Sequence, residues 1–282
     1  MDIPQASIRA LTLAPARGSG RAHGERQRLD NARDRRDMQN RIFSVDSAKA
    51  IKAQGYGYLN AIHYMAPASV AGVGDLCPKA TAGCRAACLG WYSGQASMVA
   101  RDTDINSVRQ SRIDKARRFM RDRAAYMADV VRSIELAEHK AARMGLRLCV
   151  RMNGSTDIAW EGIACERAGV RYRNLMDAFP HIQFVDYTKI ASRMRRALPA
   201  NYHLTLSRNE ENDATVAAIV AAGGNAAVVF DRVPAVWRGM RVIDGDAHDL
   251  RHLDPRGTIV GLTPKGAKAR RDTSGFVVRM AA

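Results

Sequence analysis

The sequence predicts an α/β domain with mostly parallel strands, built as a complete or partial TIM-type (β/α) barrel. Three observations point there. Short apolar runs alternate with helical stretches, the pattern of βα repeats joined by crossovers. Seven such runs fall between Tyr58 and Leu262, close to the eight strands of a full barrel. Nearly every run also ends in polar, chemically capable residues, as strand ends do at the active rim of α/β folds. A doubly wound open sheet is the alternative arrangement.

In chain order, residues 1–45 read as an Arg-rich flexible arm and residues 46–282 as a single domain. The arm holds nine arginines up to Arg41 and no lysine, which suits a solvated arm or one that touches phosphates. Tyr58–Met65 is the first strand, and a cysteine-bearing loop follows it. From Asp104 to Met144 the apolar residues Ile113, Ala116, Phe119, Met120, Met127, Val130, Val131 and Ile134 recur at helical spacing, and Gly145 supplies a stop. The outer face of this one long helix carries Arg112, Lys115, Arg117, Arg118, Arg121 and Arg123.

Further strands are expected at Leu146–Met152, Ile182–Val185, His203–Leu206, Ala226–Phe230, Arg241–Ile243 and Thr258–Leu262. A helix at Asp213–Ala222 is closed by Gly223 and Gly224. The strand ends run into Asn153-Gly154-Ser155-Thr156-Asp157, Asp186-Tyr187-Thr188-Lys189, Ser207-Arg208-Asn209-Glu210, Asp231-Arg232 and Thr263-Pro264-Lys265. Polar residues there also serve as helix N-caps. Lys189, Arg208 and Lys265 do not fit that role, because a cation is disfavoured at a helix N-terminus.

Composition narrows the function. Lys and Arg total 44 and Asp and Glu 28, a net charge of +16 in 282 residues. That balance favours a polyanionic partner, nucleic acid first. No apolar run approaches the roughly 20 residues that span a bilayer. The amino-terminal stretch lacks the basic start and long apolar run of a secretory leader, which suggests the cytoplasm, that of the host if the chain is phage-encoded. No P-loop and no well-placed G-x-G-x-x-G is present.

The sharpest signal is the loop CPKATAGCRAACLG, with Cys77, Cys84 and Cys88 at C-x6-C-x3-C spacing. Five cysteines, an odd number with three in twelve residues, suit a metal better than a disulfide framework. Soft thiolates select zinc or an iron–sulfur cluster. A structural zinc takes a fourth ligand, here from Cys149, Cys165, His63 or an Asp. A [4Fe–4S] cluster on three cysteines leaves one iron open.

A three-cysteine loop directly after the first strand of an α/β chain resembles the radical S-adenosylmethionine enzymes in arrangement. That resemblance implies a [4Fe–4S] cluster on Cys77, Cys84 and Cys88 with S-adenosylmethionine on the open iron. The ordered motifs CPKATAGCRAACLG, RMNGSTDIAWE, FVDYTK, YHLTLSRNE and AAVVF are similar to the phage gene-product-88 family, from about Tyr58 to Val277. This second resemblance implies phage or prophage origin and a shared fold, and no reaction.

Asn153, Asp157, Asp186, Lys189 and Ser207 are the candidate catalytic residues at the barrel mouth. Asp157 and Glu161, four apart, suit acid–base work or a helix start. Arg117, Arg118, Arg121, Arg208, Lys265, Lys268 and Arg270 are the candidate contacts to nucleic acid or phosphate. His203 reads as a core residue. The segment DGDAHDLRHLD has a metal-like composition but reads as a polar loop. The expected function is an iron–sulfur enzyme acting on nucleic acid or an anionic nucleotide-like substrate. The alternative is a non-enzymatic nucleic-acid-binding protein with structural zinc or a structural cluster.

Overall fold

A computed structural model describes residues 42–280; residues 1–41, most of the expected arm, lie outside the described residues. The strands expected from sequence all form, as β2 (Tyr58–His63), β3 (Arg147–Arg151), β6 (Gln183–Thr188), β7 (Tyr202–Ser207), β8 (Ala226–Val229), β10 (Met240–Asp244) and β11 (Ile259–Leu262). Four shorter strands join them: β1 (Phe43–Ser44), β4 (Cys165–Arg167), β5 (Val170–Tyr172) and β9 (Val236–Trp237). These hold two or three residues each, too few for a period of two to register.

Nine strands make one sheet, in the order β1-β2-β3-β6-β7-β8-β11-β10-β9, and β4 and β5 form a separate hairpin. All neighbours from β2 through β10 are parallel; only β1 on β2 and β9 on β10 run antiparallel. The protein is thus a mixed α/β fold on a mostly parallel sheet. From β2 to β11 the strands follow chain order, without the interior reversal of a doubly wound sheet. No strand pairing joins the two edges among the described residues, so the sheet is not a closed barrel.

The long helical stretch divides in two, α4 (Ser107–Arg121) and α5 (Arg123–Arg143), after α1 (Ala48–Gln54), α2 (Ala82–Ala86) and α3 (Leu89–Tyr92). Asp122 makes the break. Its backbone, at φ −140° and ψ 80°, leaves the helical region and ends α4, and its carboxylate accepts the Ala125 N–H at 3.1 Å, capping a new N-terminus. Arg112 and Lys115 are not on the outer face as the sequence suggested. Arg112 reaches the Gly90 carbonyl and the Tyr64 ring, and Lys115 turns toward the Ile42 carbonyl. Met120, expected in the core, is exposed.

Leu59, Ala61, Leu148, Val150, Phe184 and Leu204 belong to one core with Tyr126, Met127, Val130 and Ile134 of α5. A second core joins Leu206, Ala226, Val228 and Ile259 to Val216, Ile219 and Val220 of α8 (Asp213–Ala221). Strand alternation puts Arg151, Tyr187, Ser207, Ala227, Val229 and Leu262 on the opposite face. There the carboxy-terminal segment arches over the strand ends. After α6 (Leu175–Ala178), α7 (Ala191–Met194) and α8, the last helix α9 (Gly266–Arg270) is followed by a return to the sheet. The Val278 N–H donates to the Val229 carbonyl at 2.8 Å. No helix of the described residues is long and apolar enough to cross a membrane.

Buried titratable groups set a pH response. Burial holds His63 down to about 3 and His203 and His252 to about 4, from an ordinary 6.5. Between about pH 6.5 and 4 the folded state therefore binds fewer protons at these sites than the unfolded chain. Their contribution is fully present above pH 6.5 and is lost as pH falls through that window. Asp186 and Asp254, pushed up by burial to about 7 and about 6, act in the opposite sense. Three groups outweigh two, so calorimetry is expected to give a lower unfolding temperature at pH 5 than at pH 7. An equal or higher value at pH 5 would contradict this balance.

Candidate functional site

The ends of β3, β6, β7, β8 and β11 open into one cavity of about 420 Å³. The cysteine loop forms its roof, supplying Cys77, Cys84 and Cys88 with Trp91 and Tyr92. The floor is the sheet face of Arg151, Tyr187, Ser207, Val229 and Leu262, and Phe276 enters from the carboxy-terminal arch.

Local bonds shape the loop. Thr81 caps α2 by accepting the Cys84 N–H at 3.3 Å. Glu210, from the loop after β7, clamps the same turn: it accepts the Thr81 hydroxyl and the Gly83 N–H, each at 2.8 Å. A side chain at Gly83 would lie 2.1 Å from Ser274 Oγ and 2.7 Å from Glu210 Oε1. Gly90 is equally constrained, since a Cβ there would meet the Ser155 Cβ at 2.2 Å. Cys77 Sγ accepts the Ala68 N–H at 3.3 Å and donates to the Ser155 carbonyl at 3.6 Å. Glu210→Ala removes charge-assisted bonds worth about 1.5–3 kcal/mol. Hydrogen exchange at Gly83 and Cys84 is expected to accelerate about tenfold to a hundredfold, with β2 and β3 unaffected. Unchanged exchange at both amides would show that the clamp does not hold the loop.

The three thiols are free of disulfides and sense one another. Burial pushes Cys77 up to about 12, with Cys88, Cys84 and Asp157 adding to the effect and the Ala68 N–H opposing it. Burial likewise pushes Cys88 up to about 11, with Cys84 adding and Lys189 opposing. A bound metal reverses this preference, because its charge stabilises thiolates and releases their protons.

Among the described residues, no three His, Cys, Asp or Glu side chains are arranged to share one metal ion. Thiolates on one zinc each lie about 2.3 Å from it and must point at a single spot. Cys77, Cys84 and Cys88 nevertheless line one common cavity. Of the proposed fourth ligands, Cys149, Cys165 and His63 do not line the cavity, whereas Asp157 and Asp246 do. Cys149 lies in the core with Tyr58, Val185 and Leu250, and Cys165 in the core under α5. His63 is held between the Met152 carbonyl at 3.0 Å and the Tyr126 hydroxyl at 2.6 Å.

Asn153, Asp157, Lys189 and Ser207 line the cavity; Asp186 does not. Asp186 is fully buried and accepts the Asn153 N–H at 2.6 Å and the Tyr202 hydroxyl at 2.8 Å. The Asn153 side-chain oxygen is engaged by the Thr156 hydroxyl, the Ile158 N–H and the Trp160 indole N–H. Asp157 accepts the Lys189 backbone N–H at 2.7 Å and Arg193 at 2.9 Å. Arg193 also donates twice to Glu161, at 2.8 Å each, and to the Tyr202 hydroxyl at 3.0 Å. Lys189 Nζ donates to Ser207 Oγ at 2.8 Å. The pair of acids four residues apart is thus a buried ion-pair network that shapes the rim. Arg193, its hub, carries no sequence signal because its partners lie on other elements.

The candidate phosphate contacts do not gather on one face. Lys265 lines the cavity, paired with Asp246 at 3.1 Å. Lys268 pairs with Asp102 at 2.6 Å over the Tyr92 ring. Arg208 is buried on Asp213 and the Gly275 and Phe276 carbonyls, and borders a second cavity of about 300 Å³. Arg117 binds the Ala71 carbonyl, Arg118 pairs with Asp129, and Arg121 and Arg270 are exposed. In the Asp/His-rich segment, Asp249 pairs with Arg151 at 2.6 Å and accepts the Tyr187 hydroxyl at 3.0 Å, so that segment braces the cavity floor.

Comparison with known proteins adds a family and no reaction. No curated protein and no solved structure matches the chain. A family model described as Gene product 88 matches residues 38–280, which hold the whole sheet, the cysteine loop and the cavity. The chain belongs to the gene product 88 family.

Proposed function

We propose that this protein is a phage-encoded iron–sulfur enzyme, similar in arrangement to radical S-adenosylmethionine enzymes, that acts in the host cytoplasm on a nucleotide-like substrate. The observation that carries the reading is the shared cavity: three free thiols face the strand-end residues Asn153, Asp157, Lys189 and Ser207 across one space. Parallel strands in chain order support a partial barrel with its mouth at that cavity. Cys77, Cys84 and Cys88 would hold a [4Fe–4S] cluster. When bound, it supplies one-electron chemistry and an open iron, the place for S-adenosylmethionine.

The chain's own residues define the rest of the site. Phe276 from the arch, with Trp91 and Tyr92, gives the cavity apolar walls. Asp157, held by Arg193, fixes the backbone at Lys189, and Lys189 presents an ammonium to the cavity. The volume suits a single nucleotide-sized molecule, so the cavity favours a nucleotide over intact duplex. The net charge of +16 remains the support for a nucleic-acid partner at the outer surface.

The spectrum of anaerobically purified protein tests the reading. A broad absorbance near roughly 400 nm, bleached by dithionite, is expected of thiolate-bound iron–sulfur centres. A colourless protein with stoichiometric zinc would support the structural, non-enzymatic alternative.

A further inference from the structure

The cations of the cavity lining are paired with one exception. Arg85 is bound to Asp75 at 2.7 Å, Arg151 to Asp249 at 2.6 Å and Lys265 to Asp246 at 3.1 Å. Lys189 has no carboxylate partner among the described residues; its Nζ donates to the Ser207 hydroxyl. Asp157, the nearby acid, is engaged by Arg193 and by the Lys189 backbone instead of the Lys189 ammonium. A half-buried ammonium in a mostly apolar cavity has lost part of its hydration and holds donor capacity in reserve. The rings of Trp91, Tyr92 and Phe276 line the same space, with the Phe276 centroid 5.9 Å from Lys189 Nζ.

We infer that Lys189 and Ser207 form an oxyanion subsite for a small molecule that carries a phosphate or carboxylate on a flat, apolar body. The ammonium meets the charge and the Ser207 hydroxyl supplies a second donor, while the aromatic walls take the body. This deepens the proposed function by naming what its substrate carries. It rests on the reading of the cavity as the substrate site and does not require the cluster.

Binding to the metal-free full chain provides the test. The probes are inorganic phosphate, acetate and the four nucleoside 5′-monophosphates, each of the last beside its parent nucleoside. Titration calorimetry is expected to show at least one monophosphate binding about tenfold or more tighter than its nucleoside, the effect of one charge-assisted contact. Phosphate against acetate decides which oxyanion the subsite prefers. Lys189→Met should abolish the difference between each monophosphate and its nucleoside. Ser207→Glu, which places a carboxylate on the ammonium, should do the same and serves if the first variant does not fold. No preference for any anionic probe in the wild-type protein would overturn the inference, as would a preference that survives both variants. Iron measured on a parallel anaerobic preparation separates the two ideas. Discrimination without a cluster leaves the subsite standing and removes the iron–sulfur reading; a cluster without discrimination does the reverse.

Discussion

Arg193→Met is expected to destabilise the fold by about 3–5 kcal/mol, the range for removing one partner of a buried ion pair. The side chain is 3% exposed and satisfies Asp157, Glu161 and the Tyr202 hydroxyl at once. Its loss leaves two carboxylates, of side-chain exposure 9% and 20%, without their cation. The effect extends to Asp186, because Tyr202 links the two by donating to it at 2.8 Å. Urea unfolding gives the magnitude. Adding Asp157→Asn and Glu161→Gln to the Arg193→Met protein should recover part of the loss, since neutral amides tolerate burial without a cation. A loss below about 1 kcal/mol, or no recovery, would show that the network does not hold the rim.

The second large effect concerns the cysteines. Cys77→Ala, Cys84→Ala and Cys88→Ala are each expected to abolish cluster assembly, while Cys149→Ala and Cys165→Ala retain it. The difference follows from position: the first three thiols line the cavity, and the last two lie in apolar cores. Far-ultraviolet circular dichroism should show all of the cavity variants folded, because the loop is also held by Thr81, Glu210 and Asp75. Full iron content in Cys84→Ala would remove that residue from the ligand set. Loss of iron in Cys149→Ala with the fold intact would place a ligand where the geometry puts none.

Much of this was legible in the sequence because it is local. Seven strands announced themselves by apolar runs, and the residues after several of them, Asn153 to Asp157, Lys189 and Thr263 to Lys265, line the cavity, whereas Arg208, Asn209, Glu210, Asp231 and Arg232 do not. The cysteine loop was equally plain, being one contiguous motif. What escaped depends on contacts between distant segments. Asp122 looks like any polar residue in a helical period, and only its cap on Ala125 divides the helix. Arg112 shares a basic run with Arg117 and Arg121, yet α3 and Tyr64 draw it inward. Asp186 sits at a strand end like Lys189, but alternation turns it toward the core instead of the cavity. Phe276 and Glu210 gain their roles from the arch and the clamp, which no sequence period encodes. The Asp157–Glu161 spacing suggested acid–base chemistry; the residue that engages both, Arg193, is more than thirty positions away.

The central claim is that Cys77, Cys84 and Cys88 hold a four-iron cluster at the cavity. Iron and acid-labile sulfide counted per chain, on wild-type protein purified or reconstituted without oxygen, test it most directly. About four of each per chain is the predicted result. One zinc per chain with no sulfide, or no metal at all after reconstitution, would contradict it.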